Sequence, residues 1–353
     1  MSNEKTNNSQ SISFEFAHID TKEVIVPDVI DKKTNRKWVN WGENNKLPNY
    51  LWDCYLKCSN LQAIINNFVN YTFGEGINSN YSYLSDEGES IEEVVQKCIL
   101  DFVIFGGFAI ECIRNKKGDI VRINYQDVQN VRVDEQLTTA FLSNKWGSYS
   151  GKDTIELPLY DQKEKQDHFI LYYRGNITRN INPIPIWVSA LKSVEVLNQT
   201  RNFNLNNIVN NFSGGAIVSF NGTQMKSKEL KEVKEKLEDG YTGSNNAGKM
   251  LVINNPNDEG KVEVIRLQPD NMGDLYKNLQ DSSEHDLFVS FRINPMLLGL
   301  NESTGFASQE FENAYVLFNT TVIKPIQNNF KKIFNKIGVE IEFKPFAINW
   351  KEE

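Results

Sequence analysis

Cys54 and Cys58 are the residues best spaced to share a metal ion, since positions i and i+4 lie on one helix face. A metal would also need distant partners. The only histidines are His18, His168 and His285, and none stands at a paired spacing. Cys98 and Cys112 are no better placed, so all four cysteines read as buried reduced thiols acting as small apolar side chains. Glu284-His285-Asp286 sets a histidine between two acids, which would raise its pKa. Sequence neighbours point different ways on a helix, however, so the triplet reads as an exposed polar turn. Gly74-Glu75-Gly76 and Gly106-Gly107 fit helix stops, because glycine just past a helix end is the commonest stop signal. The chain carries no Walker phosphate loop, dinucleotide fingerprint, paired-histidine zinc motif or Gly-x-Ser-x-Gly elbow. Acidic residues abound without a ligand spacing. The pattern names no catalytic, cofactor or metal residues.

Composition bounds the alternatives. At 353 residues, with 40% apolar and 24% charged residues, the chain can bury a large core. The start, Met1-Ser2-Asn3-Glu4-Lys5, lacks the apolar stretch of a signal peptide, and no run approaches the roughly 18 apolar residues of a membrane helix. The expectation is a protein that stays in the cytoplasm of the cell making it. A net charge of −8 argues against a protein that grips nucleic acid, because such grip rests on neutralising phosphates. It suits a surface that nucleic acid slides past.

The elements that would position any site are legible from spacing. Residues 1–25 are Asn/Ser-rich and read as a flexible arm. Helices are expected over 48–58, 61–73 and 90–105. Strands follow over 108–114 and 120–125, paired through the turn Asn115-Lys116-Lys117-Gly118-Asp119, with further strands over 128–133 and 169–173. A long helix fits 186–212, its stripe interrupted by Arg201 and its last part crowded with asparagine, a poor helix former. Next come a strand over 216–220, a charge-balanced helix over 226–239, and strands over 249–253 and 261–267. A final strand is expected over 339–350. The fold class is α+β.

Residues 270–337 carry the most informative pattern. A helix breaks at Ile293-Asn294-Pro295, and a loop follows through Gly299-Leu300-Asn301-Glu302-Ser303-Thr304-Gly305-Phe306-Ala307. From Phe311 the apolar residues then recur at 315, 318, 322, 326, 330, 333 and 337, one stripe of a second helix with Ser308 at its N-cap. Pro325 falls inside that stripe and predicts a kink, since its ring removes a hydrogen bond and crowds the preceding turn. Two helices joined by a mobile loop form a mechanical element rather than a catalytic pocket.

Three stretches in this order resemble the portal proteins of tailed bacteriophages. They are Trp41-Gly42-Glu43-Asn44-Asn45-Lys46-Leu47-Pro48, then Asp101-Phe102-Val103-Ile104-Phe105-Gly106-Gly107-Phe108-Ala109-Ile110-Glu111 with the later Val131-Arg132, then residues 268–325. The resemblance implies a non-enzymatic ring of about twelve subunits at one capsid vertex, around a channel that double-stranded DNA crosses without tight binding. It implies a wing over 26–185 with 338–353 returning to it, stem helices over 186–212 and 270–294, and a clip over 213–269. It further implies a tunnel loop over 295–307 and a kinked helix over 308–337. Asn301, Glu302, Ser303, Thr304, Gly305 and Phe306 would face DNA. Lys228, Lys231, Glu232 and Glu235 of the clip would form a docking surface. The implied partners are the terminase large subunit, the major capsid protein and a head-completion adaptor, with no cofactor and no membrane. The implied location is the virion. The alternatives are a nucleic-acid-processing enzyme, such as a metal-dependent nuclease, and another capsid-associated structural protein.

Overall fold

The structure is a computed structural model that describes residues 27–30, 37–146, 154–164, 166–175, 179–209, 216–221, 251–255, 263–266, 272–300 and 308–346. The fold is α+β. Its first helices follow the apolar spacing closely: α1 (Leu47–Lys57), α2 (Ser59–Phe73) and α3 (Ile91–Phe105). Each buries its apolar stripe in one core that includes Leu51, Ile64, Phe68, Val95 and Phe105. A capping box starts α3, with Ser90 and Glu93 satisfying each other's backbone N–H groups.

Numbering strands in chain order, β1 (Asp28–Val29) pairs antiparallel with β2 (Asn40–Trp41). A three-stranded antiparallel sheet lies on α3. It is built by β4 (Gly107–Arg114) between β5 (Ile120–Gln126) and β9 (His168–Arg174). A second antiparallel sheet runs in the order β6 (Val131–Val133), β7 (Thr139–Leu142), β8 (Ile155–Pro158). The strand expected over 128–133 is shorter than its apolar run. Asp127 accepts a hydrogen bond from the Gln129 N–H at 2.9 Å and caps a 3-10 turn at Val128–Asn130, so the strand begins at Val131.

The helix expected from 186 begins instead as α4 (Leu191–Val209), after a 3-10 turn at Val188–Ala190. Trp187 causes the delay: it is fully buried, and its indole N–H donates to the Val103 carbonyl at 2.9 Å. Arg201, which broke the apolar stripe, donates to the Asn60 side chain and ties α4 to α2. A mixed sheet places β10 (Ala216–Asn221) between a parallel β11 (Leu251–Asn255) and an antiparallel β12 (Glu263–Arg266). The helix expected over 226–239 lies outside the described residues, as does the arm over 1–25. α5 (Met272–Phe291) packs along α4, with the Phe203 and Tyr276 rings 4.5 Å apart.

Two further helices, α6 (Ser308–Phe318) and α7 (Lys324–Lys336), lead to β13 (Ile341–Phe343). The final strand is shorter than the expected 339–350, and residues past 346 lie outside the described set. It pairs antiparallel with β3 (Ile77–Ser79), some 260 residues earlier in the chain. Phe330 of α7 stacks on Phe108 of β4 at 4.9 Å, so the C-terminal helix closes the same core that α1–α3 open.

Candidate functional site

The chain leaving α5 is fixed step by step up to Leu300. Helix α5 stops because Arg292 takes a left-handed conformation (φ 52°), turning the chain out of the helix. Asn294 then accepts a hydrogen bond from the Met296 N–H at 2.9 Å and caps a 3-10 turn over Pro295–Leu298. Ile293 and Leu297 are buried, and the Tyr71 hydroxyl of α2 donates to the Leu297 carbonyl at 2.9 Å. On either side, Phe291 and Phe318 meet Phe68 of α2 edge-on at 5.8 and 5.7 Å. The end of α5 and the far end of α6 therefore grip one helix. Gly299 (φ 76°) turns the chain away, leaving Leu300 exposed. Asn301, Glu302, Ser303, Thr304, Gly305 and Phe306 lie outside the described residues, as do Lys228, Lys231, Glu232 and Glu235.

The single helix expected over 308–337 is instead two α-helices joined by a π-helical turn at Asn319–Ile323. In that wider turn the Lys324 N–H donates to the Asn319 carbonyl, five residues back. Pro325 is the second residue of α7, a position where its missing N–H is tolerated. Ser308, expected as the N-cap, is the first residue of α6 itself. Replacing Pro325 with alanine returns an N–H that can donate to the Thr321 carbonyl, so the turn is expected to relax toward α-helix. A structure of the variant checks this. A π turn that persists unchanged would show that burial of Val322 and Ile323, not the proline, holds it.

The order of these elements is matched in known proteins. A family model described as phage portal protein matches residues 85–348, about three-quarters of the 353. The chain belongs to the phage portal protein family. Its fold is similar to chains in three solved structures. One, from the virion of a native gene transfer agent particle, has TM-score 0.55 and 12% identity, covering 84% of this chain and 83% of that chain. Another, from the neck of the native particle computed with C12 symmetry, has TM-score 0.55 and 11% identity, covering 84% of each. The third is an HK97 family phage portal protein from Corynebacterium diphtheriae, with TM-score 0.51 and 10% identity, covering 83% of this chain and 94% of that chain. A curated relative, an uncharacterized protein of Rickettsia bellii (strain RML369-C), is 25% identical over 146 residues. That match takes in 39% of this chain but only 36% of the relative's length.

Strongly perturbed ionisable groups often mark active sites. In this portal protein they are core groups. Burial pushes Asp101 well above the usual carboxylate range, where it accepts hydrogen bonds from the Tyr125 hydroxyl at 2.9 Å and the Val128 N–H at 3.2 Å. The four cysteines are buried free thiols, and burial raises Cys54 to about 11, so a thiolate there is suppressed. Among the described residues no group of three or more His, Cys, Asp or Glu side chains could hold a metal. Glu284-His285-Asp286 sits within α5 rather than in a separate turn. Asp286 accepts a hydrogen bond from the Ser193 hydroxyl at 2.8 Å, bracing α5 on the start of α4. His168 pairs with Glu111 at 2.6 Å across the β4–β9 ladder, a contact no local spacing announces.

The charge of α7 stands apart from these groups. Four lysines, Lys324, Lys331, Lys332 and Lys336, share this helix with no acidic residue. The signal is present in the sequence, but the apolar stripe on the opposite face dominates the local pattern and masks it.

Proposed function

We propose that the chain is one subunit of a portal ring that forms the channel for double-stranded DNA at one capsid vertex. The carrying observation is that α2 holds the chain on both sides of residues 301–307, through Phe291 and Leu297 before them and Phe318 at the far end of α6, in a chain of the portal family. In this reading the loop follows a moving duplex while the contacts to α2 keep the core in place. The C12 symmetry of the similar neck structure supports a ring of about twelve copies.

In this reading residues 26–185 with 338–353 form the wing, α4 and α5 the stem, and 213–269 the clip. The clip, through Lys228, Lys231, Glu232 and Glu235, docks the terminase large subunit during packaging and a head-completion adaptor afterwards. The wing meets the major capsid protein. ATP hydrolysis belongs to the separate motor, and the subunit itself performs no chemistry. Residues 301–306 face the DNA, where the one charge, Glu302, repels phosphate rather than trapping it.

Deleting residues 301–306 is expected to leave ring assembly intact while DNA packaging or retention falls. Light scattering of the purified ring and a packaging assay read the two effects separately. Loss of assembly in the variant would make the loop structural, and a wild-type chain that remains monomeric would end the ring reading.

A further inference from the structure

Of the helices around the loop, α5 and α6 carry an excess of acid, whereas α7, beyond the π turn, is basic. On α7, Lys324, Lys331, Lys332 and Lys336 fall on one face, opposite the buried Phe330, Ile333 and Phe334. On α5, Asp274, Asp281 and Glu284 share one side, against a single lysine, Lys277, while Asp286 turns to Ser193 of α4. No ion pair joins or neutralises either set among the described residues. The acids nearest α7 in sequence, Glu340 and Glu342, flank and occupy β13 and make no ion pair with its lysines there. Helix α5 packs on α4 and α2, and α7 on α2, with Asp274, Asp281, Lys324, Lys332 and Lys336 left exposed and Glu284 and Lys331 half-buried.

Exposed apolar side chains lie near these charges. Leu279 and Val289 lie on α5, and Val316 and Leu317 on α6 just before the π turn. A solvated helix face would not need such residues, whereas an interface combines an apolar centre with charges around it.

We propose that these faces are the two halves of one subunit contact: the lysine face of α7 with the end of α6 seats against the acidic face of α5 in a second copy of this chain. A closed ring needs a head-to-tail contact between two unlike surfaces on each subunit, and this chain presents an unlike, complementary pair. Exposed charge pairs contribute little affinity but set register and reject wrong alignments. The inference rests on the ring reading, and names its interface.

Charge exchange tests it. The variant Lys331→Glu, Lys332→Glu, Lys336→Glu is expected to lower the ring-to-subunit ratio about tenfold or more at moderate salt. The variant Asp274→Lys, Asp281→Lys, Glu284→Lys is expected to do the same. Combining both sets should restore rings, with circular dichroism showing equal helix content throughout. Light scattering and negative-stain imaging supply the readout. Rings unaffected by either reversal, or a combined variant that stays dissociated, would overturn the contact while leaving the ring reading intact. Lysine reversals that keep the ring but weaken retention of double-stranded DNA would assign the lysines to phosphate, and overturn it equally. A wild-type chain that forms no ring removes both readings at once.

Discussion

Replacing Gly106 with alanine is expected to destabilise the subunit by roughly 3–5 kcal/mol, among the largest effects of any single methyl group in the chain. Gly106 ends α3 in the left-handed conformation (φ 88°, ψ 6°), which costs an L-residue about 1–2 kcal/mol on its own. Lack of space costs more. A Cβ there would stand 2.0 Å from the Ile184 carbonyl oxygen, 2.2 Å from its carbon and 2.7 Å from Pro185 N. All three are backbone atoms and cannot rotate away. The segment that must move leads directly to Trp187, whose indole is buried and bonded to the Val103 carbonyl. Gly88 supplies the control, because it has a similar φ of 83° but nothing within 4 Å of its Cβ position. Gly88→Ala should show the backbone cost alone. Chemical denaturation of both variants decides the matter: equal losses would mean that Ile184 yields and the close approach is unimportant.

Truncating Arg132 to alanine is expected to cost about 3–5 kcal/mol. The guanidinium is fully buried and lies over the rings of Trp41 and Trp146, 5.4 and 4.9 Å from their centroids. It donates to the Asn45 side-chain oxygen at 2.8 Å and to the carbonyls of Gln129 and Val131 at 2.9 and 2.8 Å. Burial pulls its pKa down to about 9, which still leaves it charged at neutral pH. Asn45 is held in a left-handed conformation (φ 59°), and its side chain also accepts from the Trp41 N–H at 2.7 Å. Removing the arginine therefore unfastens the turn at 41–45 from β6. Arg132→Met keeps most of the volume between the two indoles, and is expected to cost less, about 1–3 kcal/mol, by leaving carbonyls unpaired. Arg132→Lys should not rescue fully, because an ammonium cannot reproduce the planar fork. Thermal denaturation of the three variants tests the order. A methionine variant as damaged as the alanine variant would show that charge, not packing, dominates.

Local pattern made the early helices legible. Apolar residues spaced by three and four placed α1, α2 and α3 within two residues of their ends, because each buries a stripe in the same core. The hairpin of β4 and β5 was equally open, its turn residues being adjacent in sequence. β7 and β8 were not legible, since short strands of mixed polarity carry little periodicity. The break after α5 was visible in Asn294-Pro295, whereas the π turn was not. Apolar spacing over one turn does not separate the α from the π form, and the π turn here buries Val322 and Ile323 together.

By itself the sequence determined the α+β class, the helix–break–helix order around the loop, and the four unreactive thiols, because those follow from nearest-neighbour spacing and composition. Tertiary structure alone decided that β13 closes on β3, that Tyr71 and Phe68 of α2 hold the end of α5 and the far end of α6, and that Gly106 serves a backbone crossing as well as a helix end. Those outcomes depend on which distant atoms come within a few ångströms of each other, and spacing along one dimension does not encode that distance.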